Sequence, residues 1–447
     1  MKLKAYPRYK SSGVEWLGDV PEFWEVKRLK DLLKAKKNAI KTGPFGSQLL
    51  SSEMYDEDVK VYNQKSVISN DFEYGENYIS LEKFKELKEF QTFPGDFLIT
   101  TRGTIGRCAI LPENAEQGVL HPCLMRLQTD KAKVYDRFLE ILIEESTFIL
   151  EQLRIKSNGT TIEVIYQDSL KNVTVLLPPL SEQQSIADYL DRETGKIDEL
   201  ISKKELLIER LKEKRTALIS RAVTKGLNPN VRFKPSGVEW LGDVPEHWDV
   251  KRLKYLIAEP ITDGPHTTPE FIDDGIPFLS VDGIQDGELV FEKCRYISLE
   301  DHKEFKQKAF PRVGDILLGK AASTGKIARV KVDFEFSIWS PLALIRPDDR
   351  EVDSAYLEYS FKSMFLQAQI DIYCTSNTQK NISMDDIPIL IFGIPAIAEQ
   401  KTIVEYLDRE TGKIDALAEK VHKAIQRLKE YRTALISAAV TGKIYVR

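Results

Sequence analysis

The sequence predicts an α+β protein: two globular mixed domains separated by long antiparallel coiled-coil-like helices, arranged as a pseudo-two-fold tandem duplication. Three observations carry this. Ser12 to Lys30 reads SGVEWLGDVPEFWEVKRLK and Ser236 to Lys254 reads SGVEWLGDVPEHWDVKRLK, differing only where Phe23 becomes His247 and Glu25 becomes Asp249. YLDRETGKIDEL at Tyr189 to Leu200 returns as YLDRETGKIDAL at Tyr406 to Leu417, so two separated matches in the same order define two halves. After each of these later lines an apolar stripe repeats at heptad spacing among lysines and glutamates.

At 447 residues, 42% hydrophobic and 30% charged, the chain can bury more than one core. Its greasiest stretch, Ile387 to Ala398, is short and broken by Pro388, Gly393 and Pro395, so no membrane span is expected. The lysine-bearing N-terminus has no apolar region behind it and reads as no export signal, which predicts a cytoplasmic protein. Cys108, Cys123, Cys294 and Cys374 lack C-x-x-C spacing, and the five histidines form no cluster, so no metal site is expected. A net charge of −5 argues, taken alone, against a nucleic-acid binder.

Between the repeated lines the halves echo one another weakly: YISLE at Tyr78 and Tyr296, GDFLITTRGTIGRCA from Gly95 against GDILLGKAASTGKIA from Gly314, KSNGT at Lys156 against TSNTQ at Thr375. The segments from about Asp31 to Leu180 and Tyr255 to Ile397 have diverged while the helical segments stay alike, so something common is held by the latter and something different is read by the former. GDFLITTRG, NVTVLLPP and GDILLG are short, apolar and bounded by Gly or Pro, as strands are. The runs from Val134 and from Val352 place apolar residues at helical spacing. The repeated openings are scaffold, with Trp16, Trp24, Trp240 and Trp248 packing core and the lysines of VKRLK on a solvated face.

The alike segments are long helices. The first opens with Ser181 as N-cap and Gln184 three residues on, with a break expected at Thr194 and Gly195. Ile197, Leu200, Leu207, Leu211 and Leu218 form one seam, with Ile201 and Ile208 beside it, and Ile414, Leu417, Val421, Leu428 and Leu435 the other. Two such stripes in one chain are natural mates. After the break each helix would run roughly 27 residues, about 40 Å, against roughly 34 Å for one turn of B-DNA, which makes the pair a ruler. The segments are 1–180 and 227–397 for the mixed domains, and 181–226 and 398–447 for the helices.

The order of a mixed domain, PPLSEQQSIADYLDRETGKIDELI…LKEKRTALISRAVTKGL, a second mixed domain and EQKTIVEYLDRETGKIDAL…LKEYRTALISAAVTGKI resembles the specificity subunit of type I restriction-modification systems. TGPFGSQL at Thr42 and TDGPHTTPEF…GIPFLSVDGI from Thr262 resemble openings of that family's target recognition domains. The resemblance covers nearly the whole chain. It implies a non-catalytic reader of double-stranded DNA in a prokaryotic cytoplasm. Each target recognition domain would contact one half of a bipartite site, and the helices would set the gap and dock two modification subunits. S-adenosylmethionine, ATP and Mg would be bound by the partners, which include restriction (motor-nuclease) subunits, and no cofactor by this chain. If those partners supply much of the cradle around the duplex, the reader need not be basic.

No enzyme motif competes. LPPLSE at Leu177 has the prolines of an adenine methyltransferase motif without its polar and aromatic flanks, and GKAASTGKI from Gly319 misses a P-loop by one residue and by Ile327 where Ser or Thr must bind Mg²⁺. Base edges are met by Arg, Lys, Asn, Gln, Ser and Thr, so polar and basic residues of the diverged domains are nominated. The candidates are Ser47, Gln48, Arg102, Thr104, Arg107, Asn158, Thr160 and Thr161 in the first half, and His266, Thr267, Lys320, Ser323, Lys326, Asn377, Gln379 and Lys380 in the second. A duplicated coiled-coil scaffold that binds partner proteins without reading DNA is the alternative, and a specific duplex shift separates the two.

Overall fold

The computed structural model describes residues 4–446 except 16, 56, 57, 74, 76, 157–163, 240 and 375–379. The chain forms two compact units, Met1–Lys204 with Lys423–Arg447, and Glu205–His422. They run across the segments drawn from sequence, because each long helix carries residues of both units: Leu180–Lys225 and Ile397–Val440.

In the first unit, Tyr9–Ser11 pairs with Asp19–Pro21, and Glu25–Arg28 with Thr174–Leu177, both antiparallel. A four-stranded antiparallel sheet has the spatial order Ile40–Thr42, Leu124–Leu127, Phe97–Thr100, Cys108–Ile110. A second sheet orders Tyr78–Ile79, Val59–Tyr62, Gly118–Leu120 and Gln91–Thr92, with one parallel pairing between Gly118–Leu120 and Val59–Tyr62. Leu49, Tyr62, Phe72, Phe90 and Leu98 belong to one core cluster there.

In the second unit, Phe233–Pro235 pairs with Asp243–Pro245, and Asp249–Arg252 with Ile391–Ile394. Its four-stranded sheet orders Thr262–Asp263, Leu342–Ile345, Ile316–Gly319, Ile327–Arg329, the same sequence of partners as in the first unit. The core joins Ile219, Ala222 and Val223 of the first long helix to Trp248, Tyr356, Phe361 and Phe392, and to Ile403 and Leu407 of the second.

The strands expected at GDFLIT, NVTVLL and GDILLG form, as Phe97–Thr100, Thr174–Leu177 and Ile316–Gly319. The helical runs from Val134 and Val352 each break once. Ser146 and Ser363 leave helical geometry, and their hydroxyls accept from the Phe148 and Leu366 amides at 3.2 and 3.3 Å, so a fresh turn starts at each.

The first long helix is unbroken, contrary to the break expected at Thr194 and Gly195. The Thr194 hydroxyl donates to the Leu190 carbonyl at 2.7 Å, which removes its competition with the helix, and the Gly195 position faces open space. Its start also differs. Ser181 lies inside the helix, which follows Pro178 and Pro179, and the anchor is Gln183 rather than a Ser181 and Gln184 box. Gln183 is fully buried: its Oε1 accepts from the Tyr135 amide at 2.8 Å and its amide group donates to the Pro178 and Lys133 carbonyls at 2.9 and 3.0 Å. Gln400 repeats this in the second unit, with the Asp353 amide at 2.7 Å and the Pro395 and Glu351 carbonyls at 2.9 and 3.2 Å.

Trp24 and Trp248 are fully buried, as the sequence predicts, whereas Trp16 and Trp240 lie outside the described residues. Each indole N–H donates to the carboxylate that opens a long helix: Trp24 to Glu182 and Trp248 to Glu399, both at 3.2 Å. The substitution of Phe23 by His247 acts here. His247 Nε2 lies 2.8 Å from Glu399, while in the first unit Tyr6 donates to Glu182 at 2.7 Å and Phe23 stands 79% exposed. Burial, then the Glu182 carboxylate, push the Tyr6 phenol well above its ordinary pKa, so it stays a donor.

Trp248→Ala should cost about 3–5 kcal/mol by cavity formation. Phe23→Ala, at an exposed site, should stay within about 0.5 kcal/mol. Urea denaturation of both variants checks the contrast.

Candidate nucleic-acid interface

Two kinds of surface stand out: loops at one end of each four-stranded sheet, and the paired faces of the long helices.

In the first unit three turns meet at the sheet end. The turn at 121–123 is central. The Thr101 amide donates to the Cys123 carbonyl at 2.8 Å, and a Cβ on Gly43 would sit 2.2 Å from the His121 carbonyl oxygen, so only glycine allows this approach. Burial lowers the His121 pKa, and its Nδ1 accepts from the Cys123 amide at 3.2 Å. Ser47 and Gln48 are exposed on the loop after Gly43, where Gln48 Oε1 accepts from the Phe45 amide at 2.9 Å. Arg102 and Thr104 are exposed on the turn between Phe97–Thr100 and Cys108–Ile110, which needs positive φ at Gly103 and Gly106. Arg107 on the same turn is held by Glu144 at 2.7 Å. Asn158, Thr160 and Thr161 lie outside the described residues.

The second unit repeats the arrangement with other side chains. A Cβ on Gly264 would sit 1.9 Å from the Ile338 carbonyl oxygen, and the Lys320 amide donates to the Pro341 carbonyl at 2.8 Å. GKAASTGKI is the turn the sequence suggests: the Gly325 amide donates back to the Gly319 carbonyl at 2.9 Å. It carries Lys320, Ser323 and Lys326. His266 and Thr267 are exposed just after Gly264. Lys380 is ion-paired with Asp371 at 2.6 Å, and its carbonyl accepts from the Thr324 hydroxyl. Asn377 and Gln379 lie outside the described residues.

Of these, His266 and Lys320 are brought together, both onto Asp263. His266 Nε2 and Lys320 Nζ lie 3.1 and 2.9 Å from Asp263 Oδ2, and Lys308 Nζ bonds Oδ1 and reaches the Gly264 carbonyl at 3.2 Å. Burial by itself raises the Asp263 pKa, but the bonds from Lys308 and Lys320 reverse this and leave it below the ordinary carboxylate value. Asp263 and Lys308 escaped the sequence reading because nothing local marks them. One ends a two-residue strand and the other a helix, and only the fold makes them neighbours.

Within the first unit Arg432 Nε bonds Asp198 at 2.9 and 3.2 Å, and its Nη2 is ion-paired with Glu145 at 2.7 Å. Within the second, Arg215 Nε bonds Asp415 at 3.0 and 3.4 Å. Both pairs join the Asp of one GKID line to the Arg of the other RTAL line, in the same antiparallel register. Exposed ion pairs contribute about 0–1 kcal/mol, whereas burying one Ile or Leu contributes about 1.5–3 kcal/mol. The charges therefore choose register and the apolar seam supplies stability.

The covered positions coincide with the expected seam along part of its length. Ile197, Leu211, Ile414, Val421 and Leu435 are buried, and Leu218 and Leu428 are half-buried. Leu200, Leu207 and Leu417 are exposed, and Ile201, Ile208 and Ile425 take the covered places. Beside Leu200 and Leu207 the following residue, Ile201 or Ile208, is the buried one.

Among the described residues no group of three or more His, Cys, Asp or Glu could hold a metal, and no helix is long and apolar enough to cross a membrane.

A family model for the type I restriction modification DNA specificity domain matches residues 21–210 and 245–427. The type I restriction enzyme MjaVIII specificity subunit of Methanocaldococcus jannaschii is 26% identical over 445 residues, covering 96% of this chain and 94% of its own. The EcoBI specificity subunit of Escherichia coli is 24% identical over 361 residues, covering 79% and 75%. A chain solved in a study of complex assembly and conformational transition of the type I R-M system aligns with a TM-score of 0.72 at 18% identity, over 95% of this chain and 99% of that one. The HsdS subunit from Thermoanaerobacter tengcongensis aligns at 0.54 and 18%, over 95% and 98%. At such identities the structural likeness concerns the fold.

Gly264→Ala should destabilise its unit by about 1–3 kcal/mol, since the new methyl meets backbone; chemical denaturation measures it. The Asp263 carboxyl, with its folded pKa depressed, stabilises fully above the ordinary carboxylate range of about 4 and loses that contribution as pH falls through the lower folded value. The stability difference between wild type and Asp263→Asn should therefore shrink as pH is lowered from about 6 toward 3, followed by urea midpoints.

Proposed function

The chain belongs to the type I restriction-modification DNA specificity family, and from that premise we propose that it is the subunit that reads a bipartite duplex target, one unit per half-site. It has no catalytic role of its own. Its recognition domains contact the bases, its helices set the unspecified gap, and it docks two modification subunits. Those and the restriction subunits bring S-adenosylmethionine, ATP and Mg chemistry in the prokaryotic cytoplasm.

One observation carries this reading: equivalent loops share a backbone and differ in side chains. Gly43 and Gly264 each press against backbone just before the central strand, and Thr101 and Lys320 make the same backbone bond, yet Thr42, Phe45 and Thr101 stand where Asp263, His266 and Lys320 stand. A common frame with unlike tips suits two unlike half-sites. The candidates Ser47, Gln48, Arg102, Thr104, Arg107, His266, Thr267, Lys320, Ser323, Lys326 and Lys380 would act from those tips and the segments beside them, together with Asn158, Thr160, Thr161, Asn377 and Gln379. The tandem duplication supplies the repetition of frame and helix.

Docking of two like partners calls for two like handles. Leu200 and Leu417 occupy matching places in the repeated lines and are 43% and 45% exposed. Each is an apolar group turned away from the helix seam.

Methylome sequencing of cells with and without this chain tests the reading. A split motif with two unlike halves should lose its modification when the chain is removed; an unchanged methylome would favour the scaffold that binds only proteins. In native mass spectrometry of the co-purified complex, Leu200→Glu or Leu417→Glu alone should reduce bound modification subunits from two to one.

A further inference from the structure

The group around Asp263 carries the family reading, on which this inference rests, to a class of base. Three donor side chains from separate stretches converge on one carboxylate: His266 after the Gly264 turn, Lys308 at the end of helix Leu299–Lys308, and Lys320 after strand Ile316–Gly319. Two ammonium groups against one carboxylate leave the cluster net positive. They also bring six N–H bonds to an acceptor with about four lone-pair sites, so donors remain for a ligand. Among the described residues no second carboxylate bonds either lysine.

At the positions matching Asp263, His266 and Lys320 the first unit carries the neutral Thr42, Phe45 and Thr101. Strand register sets Thr42 opposite Met125 as it sets Asp263 opposite Ala343, and backbone bonds match Thr101 with Lys320. The Thr101 hydroxyl is spent on the Cys123 carbonyl at 3.0 Å. The donor cluster therefore belongs to one reader and is no requirement of the frame.

Base edge and phosphate both accept hydrogen bonds, and the geometry separates them. A phosphate seat gains nothing from a carboxylate, which repels the polyanion. A base-reading site does gain, because direct readout needs donors fixed in direction. Lys320 is held in this way, with its side chain only 14% exposed. Guanine offers two acceptors, N7 and O6, on its major-groove edge, where adenine pairs one acceptor with a donor.

We infer that Asp263 is a positioning residue that aims Lys308, Lys320 and His266 at guanine in the half-site read by the second unit, and that Lys308 is a specificity-determining residue there.

The test uses the full chain in complex with its modification subunits, presented with duplexes randomised across the target, and sequencing of the bound fraction. Wild type should select guanine at one or more positions of one half-site. Asp263→Asn and Lys308→Gln should each lower that preference about tenfold or more, leaving the other half-site unchanged. Lys308→Arg separates the two kinds of contact, since a phosphate accepts either cation while a directed base contact does not; it too should relax the guanine preference. The inference is overturned if neither selected half contains guanine, if Lys308→Arg selects as wild type does, or if the variants weaken all sequences alike with a shallower salt dependence, the mark of a lost phosphate contact. Wild type that selects no sequence would instead overturn the reading of the chain as a DNA reader. Circular dichroism of each variant establishes that it is folded.

Discussion

Each compact unit is finished by the far end of the other repeat's helix, and the rest of the structure depends on that exchange. Val223, near the end of the first long helix, packs in the core that holds Trp248, and its carbonyl accepts from Tyr356 at 3.3 Å. At the end of the second, Gly442 approaches the ring of Trp24 so closely that a Cβ there would meet Pro21 at 2.4 Å. A helix that must begin in one domain and end in another has little freedom in length or register. This explains why the chain writes two lines twice. The tryptophan and the helix-opening glutamate must match within each unit, and the aspartate of each GKID must meet the arginine of the other RTAL.

The loops are free of this constraint. They hang from a sheet whose strand order is the same in both units, and beyond the two glycines that press against backbone they need only remain soluble. Side chains there can differ while the strand order stays the same, as exposed Phe45 and His266 illustrate. Buried apolar contacts along the helices and beneath the sheets hold the frame, and the proposed reading places discrimination at the loops and strand ends above it.

Much of the fold was legible in the sequence because repetition and periodicity are local signals. The two helices, the buried tryptophans and the principal strands belong to this class. What escaped depended on which partner a side chain takes in the fold. A leucine-rich stripe through Leu200 and Leu207 scores as well as one through Ile201 and Ile208, and only the mate decides between them. Thr194 and Gly195 look like a helix break until the Leu190 carbonyl is seen to take the hydroxyl. Gln183 and Gln400 carry no local mark of burial, yet both are fully buried and hydrogen-bonded where helix meets domain. At the candidate interface, residue type found His266 and Lys320, while the carboxylate that joins them and the third donor needed the fold.

On the proposed function, each unit reads its own half of the target on a frame indifferent to what is read. Replacing residues 31–180 by the corresponding segment of another specificity subunit, and sequencing the methylome of cells carrying the hybrid, tests it most directly. One half of the modified motif should change to that of the donor while the other half and the gap persist. A change in both halves, or in neither with the complex intact, would contradict the account.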